Sequence, residues 1–144
     1  MKDQDFINEY LKRYKDAVLE TDVSDTMIAM KELLLKIRQK GKKVMIFGNG
    51  GSAAMASHVS VDLTKQAKIR TVNFNEADLI TCFANDYGYE SWVAKSIEFY
   101  GDERDLVILV SSSGKSQNMV NAAIQANIMG IEVITLTGFD NDNP

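Results

Sequence analysis

The sequence has 144 residues, a length typical of one folded domain, with 45% hydrophobic and 25% charged residues. Its net charge of −4 gives no overall attraction to nucleic acid or to an anionic membrane, so we expect neither partner. No run approaches the roughly 20 apolar residues that a membrane-spanning helix needs. The single cysteine, Cys82, excludes an intramolecular disulfide and favours a cytoplasmic protein, and we expect it to lie in the core.

Residues 1–40 are predicted to form a helical hairpin. Apolar residues recur at helical spacing from Phe6 to Leu19, and a second stripe runs from Met27 to Ile37 before Gly41. Between the stripes, Asp22 and Ser24 are both suitable N-caps for the second helix. Such stripes indicate either core packing or a subunit interface.

Residues 41–144 alternate between strand and helix patterns, which predicts one α/β core. The predicted strands are 44–47, 70–74, 106–110 and 133–137. The predicted helices are 52–65, 78–84, 90–100 and 117–129, with a turn at 85–88. This alternation predicts a doubly wound parallel sheet with helices on both faces, in a single domain that spans 1–144. The chain stops soon after its fourth strand, so the sheet is either minimal or continues beyond Pro144.

Two loops of small residues each lie between a strand and a helix, where open parallel sheets bind ligands. The first, 48–52, carries three glycines, an asparagine and a serine, and its helix start suits an anion. The second, 111–116, offers four hydroxyls, a glycine and backbone N–H groups, which suit the oxygens of a phosphate. Two such loops in one sheet predict a phosphorylated ligand more strongly than either loop alone.

Neither loop matches a nucleotide-binding motif. Ala53 occupies the third glycine position of G-x-G-x-x-G, and the P-loop spacing is absent before Gly114-Lys115-Ser116. A generic nucleotide-binding domain is therefore the least favoured alternative.

Taken together, four motifs resemble the sugar isomerase (SIS) family, and most closely its phosphoheptose isomerase branch. They are Gly-Asn-Gly-Gly-Ser-Ala at 48–53, His58, Asn-Asp-Tyr-Gly-Tyr at 85–89 and Ser-x-Ser-Gly-x-Ser at 111–116. The resemblance covers nearly the whole chain. It implies a flavodoxin-like SIS fold and a homo-oligomer, typically a tetramer with sites between subunits.

The resemblance also implies a role for each loop residue. The phosphate is expected on Ser111, Ser112, Ser113 and Ser116. The sugar is expected on Asn49, Gly50, Gly51 and Ser52, with Asn85 and Asp86 approaching from a neighbouring loop. Lys115 is not expected to contribute much to phosphate binding, because its motif position often holds asparagine.

His58 and Asp62 lie four residues apart on a predicted helix and therefore share one face. A histidine and a carboxylate so placed can bind a metal together or take part in proton transfer. The resemblance implies that Asp62 is the catalytic base, where the family commonly has glutamate, and that His58 and Asp62 hold zinc in some members. In the family, a glutamine and a histidine on a C-terminal helix complete this site, but His58 is the only histidine here.

The resemblance implies isomerisation of sedoheptulose 7-phosphate to D-glycero-D-manno-heptose 7-phosphate through an enediol, for heptose biosynthesis. The alternative is a non-catalytic SIS protein that binds a sugar phosphate or serves as a scaffold. The shorter carboxylate at Asp62 favours this alternative.

Overall fold

The computed structural model describes residues 2–139 and 142–144. The chain divides into two compact units, Met1–Glu32 and Leu33–Pro144. Its elements in chain order are α1 (Asp3–Lys15), a π-helical segment (Asp16–Glu20), α2 (Ser24–Gln39), β1 (Val44–Gly48), α3 (Gly51–Lys65), β2 (Thr71–Val72), α4 (Ala77–Tyr87), α5 (Trp92–Tyr100), β3 (Leu106–Val110), α6 (Gln117–Ile128) and β4 (Glu132–Leu136). No helix in the described part of the chain combines the length and the apolar content needed to cross a bilayer.

The first unit contains the predicted N-terminal helices. Asp22 Oδ1 accepts a hydrogen bond from the Ser24 backbone N–H at 2.9 Å, so its side chain satisfies the first N–H of α2 from two residues away. The apolar side chains of α1 are exposed: Phe6, Ile7, Tyr10, Leu11 and Tyr14. Because these side chains are exposed, core packing does not explain this stripe. A subunit interface stays a prediction.

The second unit is built on a four-stranded sheet with the order β2-β1-β3-β4, in which every pair is parallel. β1 and β3 are buried along their whole length, as their continuous apolar sequences predict. The doubly wound arrangement that the sequence predicts is confirmed.

The core lies on both faces of the two central strands. Alternate residues of β1 and β3, such as Met45 and Val107, join a buried cluster with Trp92 of α5 and Met119 of α6. The side chains between them are equally buried and point to the opposite face, and α3 packs against β1. α3 and α6, which follow the two central strands and pack against them, therefore position the loops at the strand ends.

Two local predictions are wrong in α4. The helix continues to Tyr87, so Asn85 and Asp86 lie in its last turn rather than in a separate turn. Gly88, with φ +87°, ends it. Cys82 is exposed instead of buried, because the inward face of α4 is formed by Leu79, Ile80 and Phe83.

Candidate functional site

The two small-residue loops begin side by side. β1 and β3 pair in a register that places Gly48 opposite Val110, so both loops leave the same edge of the sheet. Asn49 and Ser111 are therefore the first residues beyond two adjacent strand ends. This is the position at which parallel α/β sheets bind ligands.

The first loop turns sharply from β1 into α3. A Cβ on Gly48 would lie 2.5 Å from the backbone C and O of Ser52, so only glycine fits. Gly50 has φ +55° and is the N-cap of α3, a conformation that costs glycine little. The turn directs the first N–H groups of α3 and the positive end of its dipole to the carboxyl end of β1. An anion or a polar ligand can bind there.

The second loop brings two hydroxyls together. Ser111 is buried, and its hydroxyl donates a hydrogen bond to Ser116 Oγ at 3.3 Å. Gly114, with φ +67°, closes the turn by donating its N–H to Ser111 O at 3.0 Å. Ser116 is the N-cap of α6, but its side chain makes no capping bond. Its hydroxyl is therefore available to a ligand at the start of a helix.

Asn49 is the meeting point of three segments. Its Nδ2 donates to Asn118 Oδ1 at 3.0 Å, and Asn118 Nδ2 donates back to Asn49 Oδ1 at 2.9 Å. The Tyr89 hydroxyl also donates to Asn49 Oδ1, at 3.2 Å. Neither Asn118 nor the role of Tyr89 is predicted from the sequence, because nothing in the local pattern marks a contact between residues so far apart.

Among the described residues, Asn85 and Asp86 make no side-chain hydrogen bond to either loop. In the described part of the chain, their side-chain hydrogen bonds remain within α4: Asn85 Nδ2 donates to Asp86 Oδ1, and Cys82 Sγ donates to Asp86 Oδ2. The Asp86 carboxylate raises the pKa of the Cys82 thiol, which argues against a reactive thiolate. The segment after α4 reaches the first loop through Tyr89 instead.

His58 and Asp62 face one another on the exposed side of α3. His58 Nε2 lies 3.5 Å from Asp62 Oδ2. Two ligands of one tetrahedral zinc ion would be about 3.3 Å apart, so the pair fits two of its four positions. Among residues 2–139 and 142–144, no group of three or more His, Cys, Asp and Glu side chains could hold a metal. This pair alone therefore offers at most two of the four ligands that a tetrahedral zinc ion needs.

Comparison with known proteins agrees with this architecture. The model of the SIS domain family matches residues 6–138, so the chain belongs to the SIS domain family. The resemblance inferred from the motifs is thereby confirmed.

Within this family, the chain is similar to phosphoheptose isomerases. The enzyme from Fusobacterium nucleatum is 39% identical over 112 residues, which cover 74% of this chain and 58% of that protein. The enzyme from Chlorobium phaeovibrioides is 34% identical over 139 residues, which cover 91% of this chain and 65% of that protein. The solved phosphoheptose isomerase from Neisseria gonorrhoeae superposes with a TM-score of 0.87 at 27% identity, covering 96% of this chain and 77% of that one. The chain thus spans about three fifths of the length of the first two relatives.

Proposed function

We propose that the protein is an aldose–ketose isomerase that converts sedoheptulose 7-phosphate into D-glycero-D-manno-heptose 7-phosphate, a step of heptose biosynthesis. The observation that carries this proposal is the adjacency of the two small-residue loops at the ends of β1 and β3. Relatives named phosphoheptose isomerase support the choice of substrate.

The second loop is the proposed phosphate site. The hydroxyls of Ser111, Ser112, Ser113 and Ser116 and the first N–H groups of α6 would donate hydrogen bonds to the phosphate oxygens. Hydrogen bonds to a charged acceptor are stronger than those between neutral groups, so this loop would supply much of the binding energy. It would also fix the distance from the phosphate to the reacting carbons.

The first loop is the proposed sugar site. Asn49, Gly50, Gly51 and Ser52 would bind the hydroxyls, and Asn85 and Asp86 would close the site from α4. Because neither side chain is hydrogen-bonded to the described loop residues, a bound sugar would connect them to the first loop.

Asp62 is the proposed base, with His58 beside it. Isomerisation through an enediol needs one group to carry a proton between C1 and C2 and another to stabilise the developing oxyanion. The Asp62 carboxylate can carry the proton, and the His58 imidazole can donate to the oxyanion. In the alternative arrangement, the pair and further ligands outside the described residues would instead hold a zinc ion, which would polarise the carbonyl.

The proposed assembly is a homotetramer in the cytoplasm. The exposed apolar stripe of α1 supports an oligomer, because contiguous apolar surface normally marks an interface. A charged sugar phosphate does not cross a membrane, which supports the cytoplasm as the setting.

A direct assay tests this function. The full-length protein is incubated with sedoheptulose 7-phosphate, with and without added zinc, and the aldose product is followed. We expect turnover in at least one condition. Absence of turnover in both would overturn the proposed activity.

A non-catalytic SIS protein is the second candidate, favoured by the aspartate at position 62, where the family commonly has glutamate. Thermal-shift measurements with sedoheptulose 7-phosphate separate the forms of this candidate: a shift without turnover indicates a sensor, and no shift indicates a scaffold. Asp62→Glu adds a further test, since a large gain in rate would show a site ready for catalysis.

A further inference from the structure

We propose that Asn118 is a positioning residue that holds the Asn49 side chain in the orientation in which it binds the sugar. This inference rests on the proposed function, because that function places Asn49 at the sugar. Asn118 lies on the first turn of α6, directly after the phosphate loop, and is only 3% exposed. It therefore links the two ligand loops from a position that is almost completely shielded from solvent.

The burial of Asn118 explains why the contact with Asn49 is strong. A buried amide without partners costs free energy, so its hydrogen bonds must be satisfied within the protein. Among the described residues, the Asn118 side chain is hydrogen-bonded only to Asn49. Its Oδ1 accepts from Asn49 Nδ2, and its Nδ2 donates to Asn49 Oδ1. An apolar residue would fill the same position beside the buried Met119 without needing a partner. The asparagine thus constrains Asn49 in a way that packing alone would not.

Tyr89 completes the constraint. Oδ1 of Asn49 accepts from both Asn118 and Tyr89, and one Nδ2 hydrogen is given to Asn118. The second Nδ2 hydrogen has no partner in the described part of the chain and remains for a ligand. Asn49 would therefore act as a donor, and the sugar atom that it recognises would be an acceptor oxygen.

The first experiment measures binding and turnover of Asn118→Ala. Sedoheptulose 7-phosphate and inorganic phosphate are titrated separately by calorimetry, and kcat/KM is measured. We expect the sugar phosphate to bind about tenfold more weakly, which corresponds to about 1.4 kcal/mol. The affinity for inorganic phosphate should not change, because the serine loop keeps its own hydrogen bonds.

Two further variants separate positioning from folding. Asn127→Ala, at an exposed position of the same helix, should match the wild type in every measurement. Tyr89→Phe removes one exposed hydroxyl and should weaken sugar binding in the same direction, but less. Equal losses of sugar-phosphate and phosphate affinity in Asn118→Ala would indicate a merely structural role and overturn the inference, as would wild-type sugar affinity.

An NMR measurement on the protein without ligand tests the same contact independently of activity. The Asn49 Nδ2 hydrogen that is donated to Asn118 should exchange slowly with solvent in the wild type and in Asn127→Ala, and rapidly in Asn118→Ala. If the wild type fails to bind sedoheptulose 7-phosphate, the proposed function fails. Rapid exchange of this hydrogen in the wild type would instead refute the positioning role.

Discussion

His58 and Asp62 face each other across one turn of α3, with the imidazole Nε2 3.5 Å from the carboxylate Oδ2. The side chains are 80% and 56% exposed, so neither contributes much to the packing of the core. A separation of 3.5 Å is at the outer limit of a hydrogen bond, which leaves both groups able to turn toward a ligand. The pair can therefore be altered without disturbing the fold.

Asp62→Ala should remove activity and leave stability intact. Loss of a general base typically lowers the rate about 10²- to 10⁴-fold, and we expect kcat/KM to fall in that range. An exposed substitution changes the free energy of unfolding by about 0.5 kcal/mol or less. Steady-state kinetics and urea unfolding measure the two effects. Lys65→Ala, one turn further along α3, is the control, and undiminished turnover in Asp62→Ala would exclude this carboxylate as the base.

Gly48→Ala should damage the fold, whereas Gly51→Ala should not. A methyl group at 48 would meet the backbone of Ser52 at 2.5 Å and force the start of α3 to move, at a cost of about 1–3 kcal/mol. A methyl group at 51 meets nothing within 4 Å. Denaturant unfolding measures both variants. Gly51→Ala should retain wild-type stability but bind sugar phosphate less well, and equal stability of the two variants would contradict the close approach at Gly48.

The strands and the two loops could be predicted from sequence because each has a local pattern. β3 is a continuous apolar run and was predicted with the correct bounds, since a strand buried on both faces needs no polar position. β2 has only two residues, Thr71 and Val72, because it pairs along one edge for a short distance. The polar Asn85 and Asp86 suggested a turn, yet Gly88 is the residue whose backbone ends the helix.

The contacts of the site could not be predicted in the same way. Asn49 and Asn118 are 69 positions apart, and only the pairing of β1 with β3 brings their loops together. The prediction that Cys82 is buried is wrong, because apolar neighbours in sequence do not reveal which side of α4 faces the core. Both results depend on tertiary packing, which a local sequence pattern does not encode.

Ser116→Ala should weaken phosphate binding more than Lys115→Ala does. A hydrogen bond to a charged group is worth about 1.5 kcal/mol or more, so loss of the Ser116 hydroxyl should lower the affinity about tenfold. Lys115 Nζ lies 2.8 Å from Asp142 Oδ2 in an exposed ion pair, and we expect its removal to have little effect. Calorimetric titration with inorganic phosphate compares the two variants. A larger loss in Lys115→Ala would identify the lysine as the principal phosphate ligand.

Asp102→Asn should make the stability of the protein less dependent on acid pH. Lys43 Nζ donates to Asp102 Oδ2 at 2.7 Å, and this hydrogen bond and the lysine charge lower the pKa of Asp102 from its ordinary value of 3.8. A carboxylate with a lowered pKa in the folded state stabilises the protein above the unfolded value, and this contribution is lost as the pH falls through the folded value.

The free energy of unfolding should therefore be lower in Asp102→Asn than in the wild type at neutral pH, and the difference should close below 3.8. Urea unfolding at several pH values measures this difference in the free energy of unfolding. Glu103→Gln, which changes a neighbouring exposed carboxylate paired with Arg104, is the matched control and should give a smaller difference. A gap between Asp102→Asn and the wild type that is constant with pH would show that the loss comes from packing or hydrogen bonding rather than from the charge of Asp102.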